Sequence, residues 1–161
     1  MAHLRSTYLK RYKIKSLRNN KMKKLRQTSP NKWVGAIRTM LGIIFLMTGI
    51  MKLTLAEFGS AWSIQLIEAE IPFYAFNFWF VPIFEVIIGI ILFIGYYSRI
   101  GAVMIIPIMS VAIYVHITVS NPAAFPAQPQ EPIFPIAIII MAVIVLINGG
   151  GNWSLDLKTT E

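Results

Sequence analysis

Four stretches of this chain, 33–55, 76–97, 100–119 and 133–148, are apolar over lengths near that of a bilayer crossing, and between them hold only Arg38, Lys52 and Glu85 as charged residues. A helix needs about 20 mostly apolar residues to cross the hydrocarbon layer. Lipid offers no partner to an open backbone N–H or carbonyl, so such runs must be helices. The sequence therefore predicts an all-α, polytopic membrane protein, a bundle of four transmembrane helices. The fourth run is the shortest and carries no charge.

Composition sharpens this. Charged residues make up 14% of the chain, against about 25% in soluble domains, and an ordinary soluble enzyme is excluded. Cysteine is absent, which removes disulfides, iron–sulfur clusters and zinc thiolate sites.

Charge is divided unevenly along the chain. Up to and including Arg38 there are twelve basic residues and no acid, whereas the remainder holds Lys52, Arg99 and Lys158 with seven acids. Residues 1–32 read as a retained basic cytoplasmic tail rather than a cleaved leader. Leu4, Tyr8, Leu9, Tyr12 and Leu17 recur there at loose helical spacing, as in an interfacial helix lying on anionic lipid headgroups. Because the tail leads straight into an apolar run, nucleic acid is not the expected partner.

Lys and Arg mark the cytoplasmic side of a membrane protein. With the tail inside, the Tyr97–Arg99 turn and the carboxy-terminal segment are inside too, and both termini are cytoplasmic. The two outer connections, 56–75 and 120–132, carry Glu57, Glu68, Glu70 and Glu131 and no Lys or Arg. Trp62, Phe73, Tyr74, Phe78 and Trp79 are expected at the outer interface, and Trp33, Tyr96, Tyr97 and Trp153 at the inner one. Within the first connection, 58–69 reads as amphipathic and lying on the membrane. The second is rich in proline and expected to be extended, without regular helix.

Intramembrane charges cost a few kcal/mol each and face inward to find partners. At about 100° per residue, Gly35, Arg38, Gly42, Gly49 and Lys52 form one stripe, while Glu85 and Gly89 share a face of the second run. Gly42, Gly49 and Gly89 are the expected helix-packing positions, since small residues let backbones approach. Depth brings Lys52, Glu85 and His116 to one outer level, with Glu131 above them. Glu85 falls about 10 Å below the outer boundary. These four are the candidate ligand or proton site. On the inner side, Arg99 and Asp156 are expected to form a structural ion pair.

Much chemistry lacks its residues. The histidines are His3 and His116, too few for a bis-histidine haem, and no metal site is expected. Gly149-Gly150-Gly151 lacks the lysine of a phosphate loop and reads as a helix stop. No serine–histidine–carboxylate set is visible.

Several segments together resemble the DoxX family. Gly42 to Leu53, with Phe45, Gly49 and Lys52, resembles its first-helix signature. Glu85-x-x-x-Gly89 with Gly95 and Arg99 is similar to its second helix and turn. His116 to Pro132 is similar to the third-helix exit and outer loop of one subgroup. Gly149 to Asp156 resembles its glycine-rich Trp-Ser-Leu-Asp ending, with Gly150 where proline is frequent. The resemblance implies a four-helix bundle in the cytoplasmic membrane. It also implies a non-catalytic or quinone-contacting subunit of a redox-associated complex, quinone being the cofactor to expect and other membrane or redox proteins, or further copies of the chain, the partners. A scaffold without a ligand and a small oligomeric transporter are the alternatives. The family's Lys, Glu, Arg and Asp positions correspond to Lys52, Glu85, Arg99 and Asp156.

Overall fold

The computed structural model describes residues 26–126 and 129–158, and all regular structure among them is helical. The expected interfacial helix from Leu4 to Leu17 lies outside these residues. Helix α1 (Lys32–Thr54) starts where the Asn31 side chain accepts the N–H groups of Trp33 at 2.9 Å and Val34 at 3.3 Å, an N-cap that satisfies two free donors. A single extended residue, Leu55, leads into α2 (Ala56–Glu68). Helix α3 (Tyr74–Ile94) ends at Gly95, whose left-handed φ of 73° lets Gly95 and Tyr96 N–H turn back onto Leu92 and Ile91 carbonyls. This glycine stop places the reversal slightly earlier than the expected end of the second run at residue 97.

Helix α4 (Ser98–Thr118) continues through Pro107. The proline-rich connection beyond it is not wholly extended, because Asn121 caps a 3-10 turn at Pro122–Ala124. Helix α5 (Ile133–Asn148) and a last turn, α6 (Leu155–Lys158), complete the chain. Helices α1, α3 and α4 are long and apolar enough to cross a membrane. Helix α5, with 16 residues, is a shorter apolar helix, spanning about 24 Å.

The most extensive contact in the bundle is α1 with α3, followed by α4 with α5. Glycine makes the first one possible. A Cβ on Gly42 would lie 2.6 Å from the Phe93 nitrogen, and one on Gly89 would lie 2.7 Å from that of Leu46. Between the two helix pairs lies a core of Leu41, Phe45, Ile88, Leu92, Ala102, Ile105, Met109, Ala142 and Val145. Outward-facing Met47, Phe80, Ile87, Val111 and Ile140 remain exposed, as lipid-facing positions should be. A smaller cluster of Ala69, Val115, Val119, Ala124 and Phe125 packs under α2 and the proline-rich connection. Helix α2 buries Ala61, Trp62 and Leu66 against the bundle, so its apolar side is turned to protein.

Both described ends of the chain lie at one end of the bundle. Arg26 reaches Asp156 at 3.1 Å, Ser29 N–H donates to the Asn148 carbonyl, and Gly151 N–H donates to Thr28. We call this the basic end. The opposite, acidic end is formed by α2 and by residues 119–126 and 129–132.

Candidate functional site

Lys52 closes the last turn of α1 and Glu85 lies about 16 Å along α3 from Tyr74. The α1–α3 crossing sets them face to face. The Lys52 Nζ donates to both Glu85 oxygens, at 2.7 and 2.9 Å. Glu85 keeps 3% of its side-chain exposure and Lys52 keeps 20%, so the pair is closed on the carboxylate side and partly open on the ammonium side. Charge-assisted bonds of this kind are short and strong. They offset the cost of taking both ions out of water, which would be prohibitive for either alone.

A third group completes the site. The Lys52 ammonium lies 4.7 Å from the centre of the Trp62 ring, within cation–π range. Trp62 is itself anchored, its indole N–H donating to the Phe78 carbonyl at 3.2 Å. In an unbroken helix that carbonyl would take the N–H of residue 82, but Pro82 has none. Pro82 thus frees the acceptor that orients Trp62, and Trp62 covers Lys52. Sequence reading placed Trp62 in the interfacial belt and missed this role. A proline three residues before a buried carboxylate, in an otherwise uninterrupted apolar run, was the available signal.

The other two expected members do not join them. His116 Nδ1 bonds the Gln130 carbonyl at 2.8 Å and its ring lies on Phe125, 4.4 Å between centroids. It makes no hydrogen bond or ion pair with Lys52 or Glu85; α4 delivers it to the cluster under the proline-rich connection instead. Because a carbonyl only accepts, Nδ1 carries the proton in this contact. Glu131 is exposed, and its carboxylate has no ion-pair partner among the described residues.

At the basic end the Arg99–Asp156 pair is not formed. Arg99 donates to the Leu146 and Ile147 carbonyls at 2.9 and 3.0 Å and to that of Gln27 at 3.1 Å, closing the carboxy-terminal end of α5. Asp156 accepts from Tyr97 N–H at 2.9 Å, Ser98 N–H at 2.8 Å and Ser98 Oγ at 3.0 Å, and from Arg26 at 3.1 Å. Each side chain serves a helix terminus of the opposite polarity: cation on free carbonyls, carboxylate on free N–H groups. Helix ends compete with side-chain charges as partners, and the packing brings the ends closer. Asp156→Asn puts an amide donor against backbone donors and should cost about 2 kcal/mol. The check is thermal melting in detergent, and a variant that melts with the parent chain rejects the capping role.

Arg38, on the same inner side and given no partner by the sequence, is held by four hydrogen bonds. It is 1% exposed and donates to the carbonyls of Leu92, Phe93, Gly150 and Trp153. The signal was an arginine inside a span with no acid in any other span at its depth. Among the described residues no group of three His, Cys, Asp or Glu is placed to hold a metal ion.

Comparison with known proteins adds one finding. The DoxX family model matches residues 34–118, just over half of the chain and all of α3 and α4. No curated protein and no solved structure matches the chain.

Proposed function

The chain belongs to the DoxX family of membrane proteins, and from that premise we propose that it is a non-catalytic subunit of a redox-associated complex of the plasma membrane. In this reading it crosses four times, with α5 as the short fourth span and both ends in the cytoplasm. The excess of Lys and Arg at the end where Arg26 meets Asp156, and the acids at the other, support that orientation. The basic tail then meets anionic headgroups.

One observation carries the subunit reading. Arg38, Lys52 and Glu85, the charged groups within the apolar runs, and Arg99 at the start of α4 all find partners inside the chain. Charges so engaged hold a bundle together, and they leave the face turned to lipid apolar and available to other membrane helices.

The test is cross-linking in native membranes, followed by purification in mild detergent and identification of bound proteins. A stoichiometric membrane or redox partner is expected; a chain recovered alone after cross-linking rejects the proposal. Glu85→Gln should lower stability by about 2–4 kcal/mol, because it strands the Lys52 ammonium, and should reduce recovery of the complex in proportion.

The partial exposure of Lys52 beside an indole face supports a second reading, in which a quinone carbonyl accepts from the ammonium. His116 has no contact through which to relay a proton there. Menaquinone should then quench tryptophan emission of the purified protein, and equal quenching in Lys52→Met rejects quinone contact at this position.

A further inference from the structure

Three features around the Lys52 ammonium come from separate parts of the chain. A carboxylate on α3 accepts two N–H bonds from it, at 2.7 and 2.9 Å. An indole face on α2 lies 4.7 Å away. Helix α1 supplies the lysine and its aliphatic stem. Carboxylate plus aromatic face is the chemistry by which proteins bind a foreign ammonium ion. Here the ion is supplied by the chain itself.

The walls do not depend on that occupant. Trp62 is fixed by the Phe78 carbonyl that Pro82 releases. Its helix is tied down on both sides, by Ser63 with the Tyr74 hydroxyl at 2.8 Å and by the Gln65 amide donating to the Ala124 carbonyl. Glu85 is held in α3 with 3% exposure. Removing the lysine head would therefore leave an indole and a buried carboxylate still facing one another. That carboxylate would have lost its one ion-pair partner among the described residues, and the opening would lie on the side where Lys52 is now 20% exposed.

We propose that Trp62 and Glu85 form a binding site for a primary ammonium group, filled in the resting chain by Lys52 as a tethered occupant. The site distinguishes amines by their hydrogens. Two short bonds to Glu85 demand N–H donors, so a primary alkylammonium fits and a quaternary one does not. This proposal rests on the site's geometry and not on the subunit reading, so either can fail alone.

The experiment uses Lys52→Ala with Trp33, Trp79 and Trp153 replaced by Phe, leaving Trp62 as the sole indole. Propylammonium chloride is titrated into the purified protein at constant ionic strength while Trp62 emission is followed. A saturable change in the millimolar range is expected, absent with tetramethylammonium and absent when Glu85→Gln is added. No saturable response, an equal response to tetramethylammonium, or a response that survives Glu85→Gln overturns the proposal. Recovery of folded Lys52→Ala only in the presence of propylammonium counts in favour.

Where Lys52→Ala cannot be recovered under either condition, a cycle in the full chain decides. Lys52→Met, Trp62→Leu and their double variant are melted in detergent. If Lys52 is the occupant and Trp62 its wall, the double variant melts no lower than the worse single one. Additive losses in melting temperature reject the shared site.

Discussion

Arg38→Leu is expected to be among the most damaging single substitutions in the chain, lowering stability by at least ~4 kcal/mol. The guanidinium is buried and donates at 2.8 Å to Phe93 and to Gly150, at 3.4 Å to Trp153, and to Leu92. The glycine stop at Gly95 satisfies only part of the α3 terminus, and Arg38 takes what is left. The same side chain fastens the segment that returns after α5 to the rest of the bundle. Leucine removes a donor from all four; the Leu92 carbonyl keeps the Gly95 N–H, and each of the others left bare costs about 1–3 kcal/mol. Lysine keeps the charge but has one nitrogen where arginine has three, so Arg38→Lys should fall between the two. Thermal melting in detergent measures the loss, and protease sensitivity of residues 149–158 locates it. If Arg38→Leu melts within about 2 °C of the parent chain, corresponding to less than ~1 kcal/mol, this arginine does not organise the basic end.

Gly42→Leu and Gly89→Leu should be comparably severe for a different reason. Here nothing is left unpaired; two backbones are forced apart. For Gly42 the nearest neighbour of an added Cβ is main chain, Phe93 N at 2.6 Å; for Gly89 the neighbours are Leu46 Cγ and Leu46 N, both at 2.7 Å, with the Gly42 carbonyl at 3.0 Å. Backbone cannot rotate away as a side chain can. Alanine should already cost about 1–3 kcal/mol and leucine more. Gly59 in α2 serves as the control, since its Cβ would meet only the Lys52 carbonyl, at 3.2 Å. Gly59→Ala should be neutral or slightly stabilising, alanine being the better helix former by about 1 kcal/mol. Equal melting losses at Gly42, Gly89 and Gly59 would show that the close crossing of α1 and α3 is not what these glycines provide.

The two sets of positions also show how far a linear reading reaches. The glycines were legible because their spacing repeats with the helix turn, and a small residue on a polar stripe has few other uses in a membrane. Lys52 opposite Glu85 was legible because both depths follow from a constant rise per residue. His116 has a similar computed depth, yet depth is one coordinate of three. The azimuth of α4 and the fold of the proline-rich connection turn its ring toward Phe125 and Gln130. Trp62 was read as an interfacial aromatic because nothing in 56–68 says which way that helix leans. Arg99 and Asp156 share a side and carry opposite signs, yet each bonds a helix end instead. Free helix ends carry partial charges of their own.

What this sequence determines unaided is the number, place and helical nature of its apolar segments, together with the side of the bundle on which basic residues collect. Transfer from water to lipid and the need to close every backbone hydrogen bond act on each segment separately, so neighbours in the chain suffice to decide them. Which group each buried charge bonds was decided only by tertiary structure. A guanidinium is satisfied equally by a carboxylate or by bare carbonyls, and a lysine head by solvent or by an indole and a glutamate. The choice among them depends on which helix ends and side chains the packing of α1 on α3, and of α4 on α5, sets within reach.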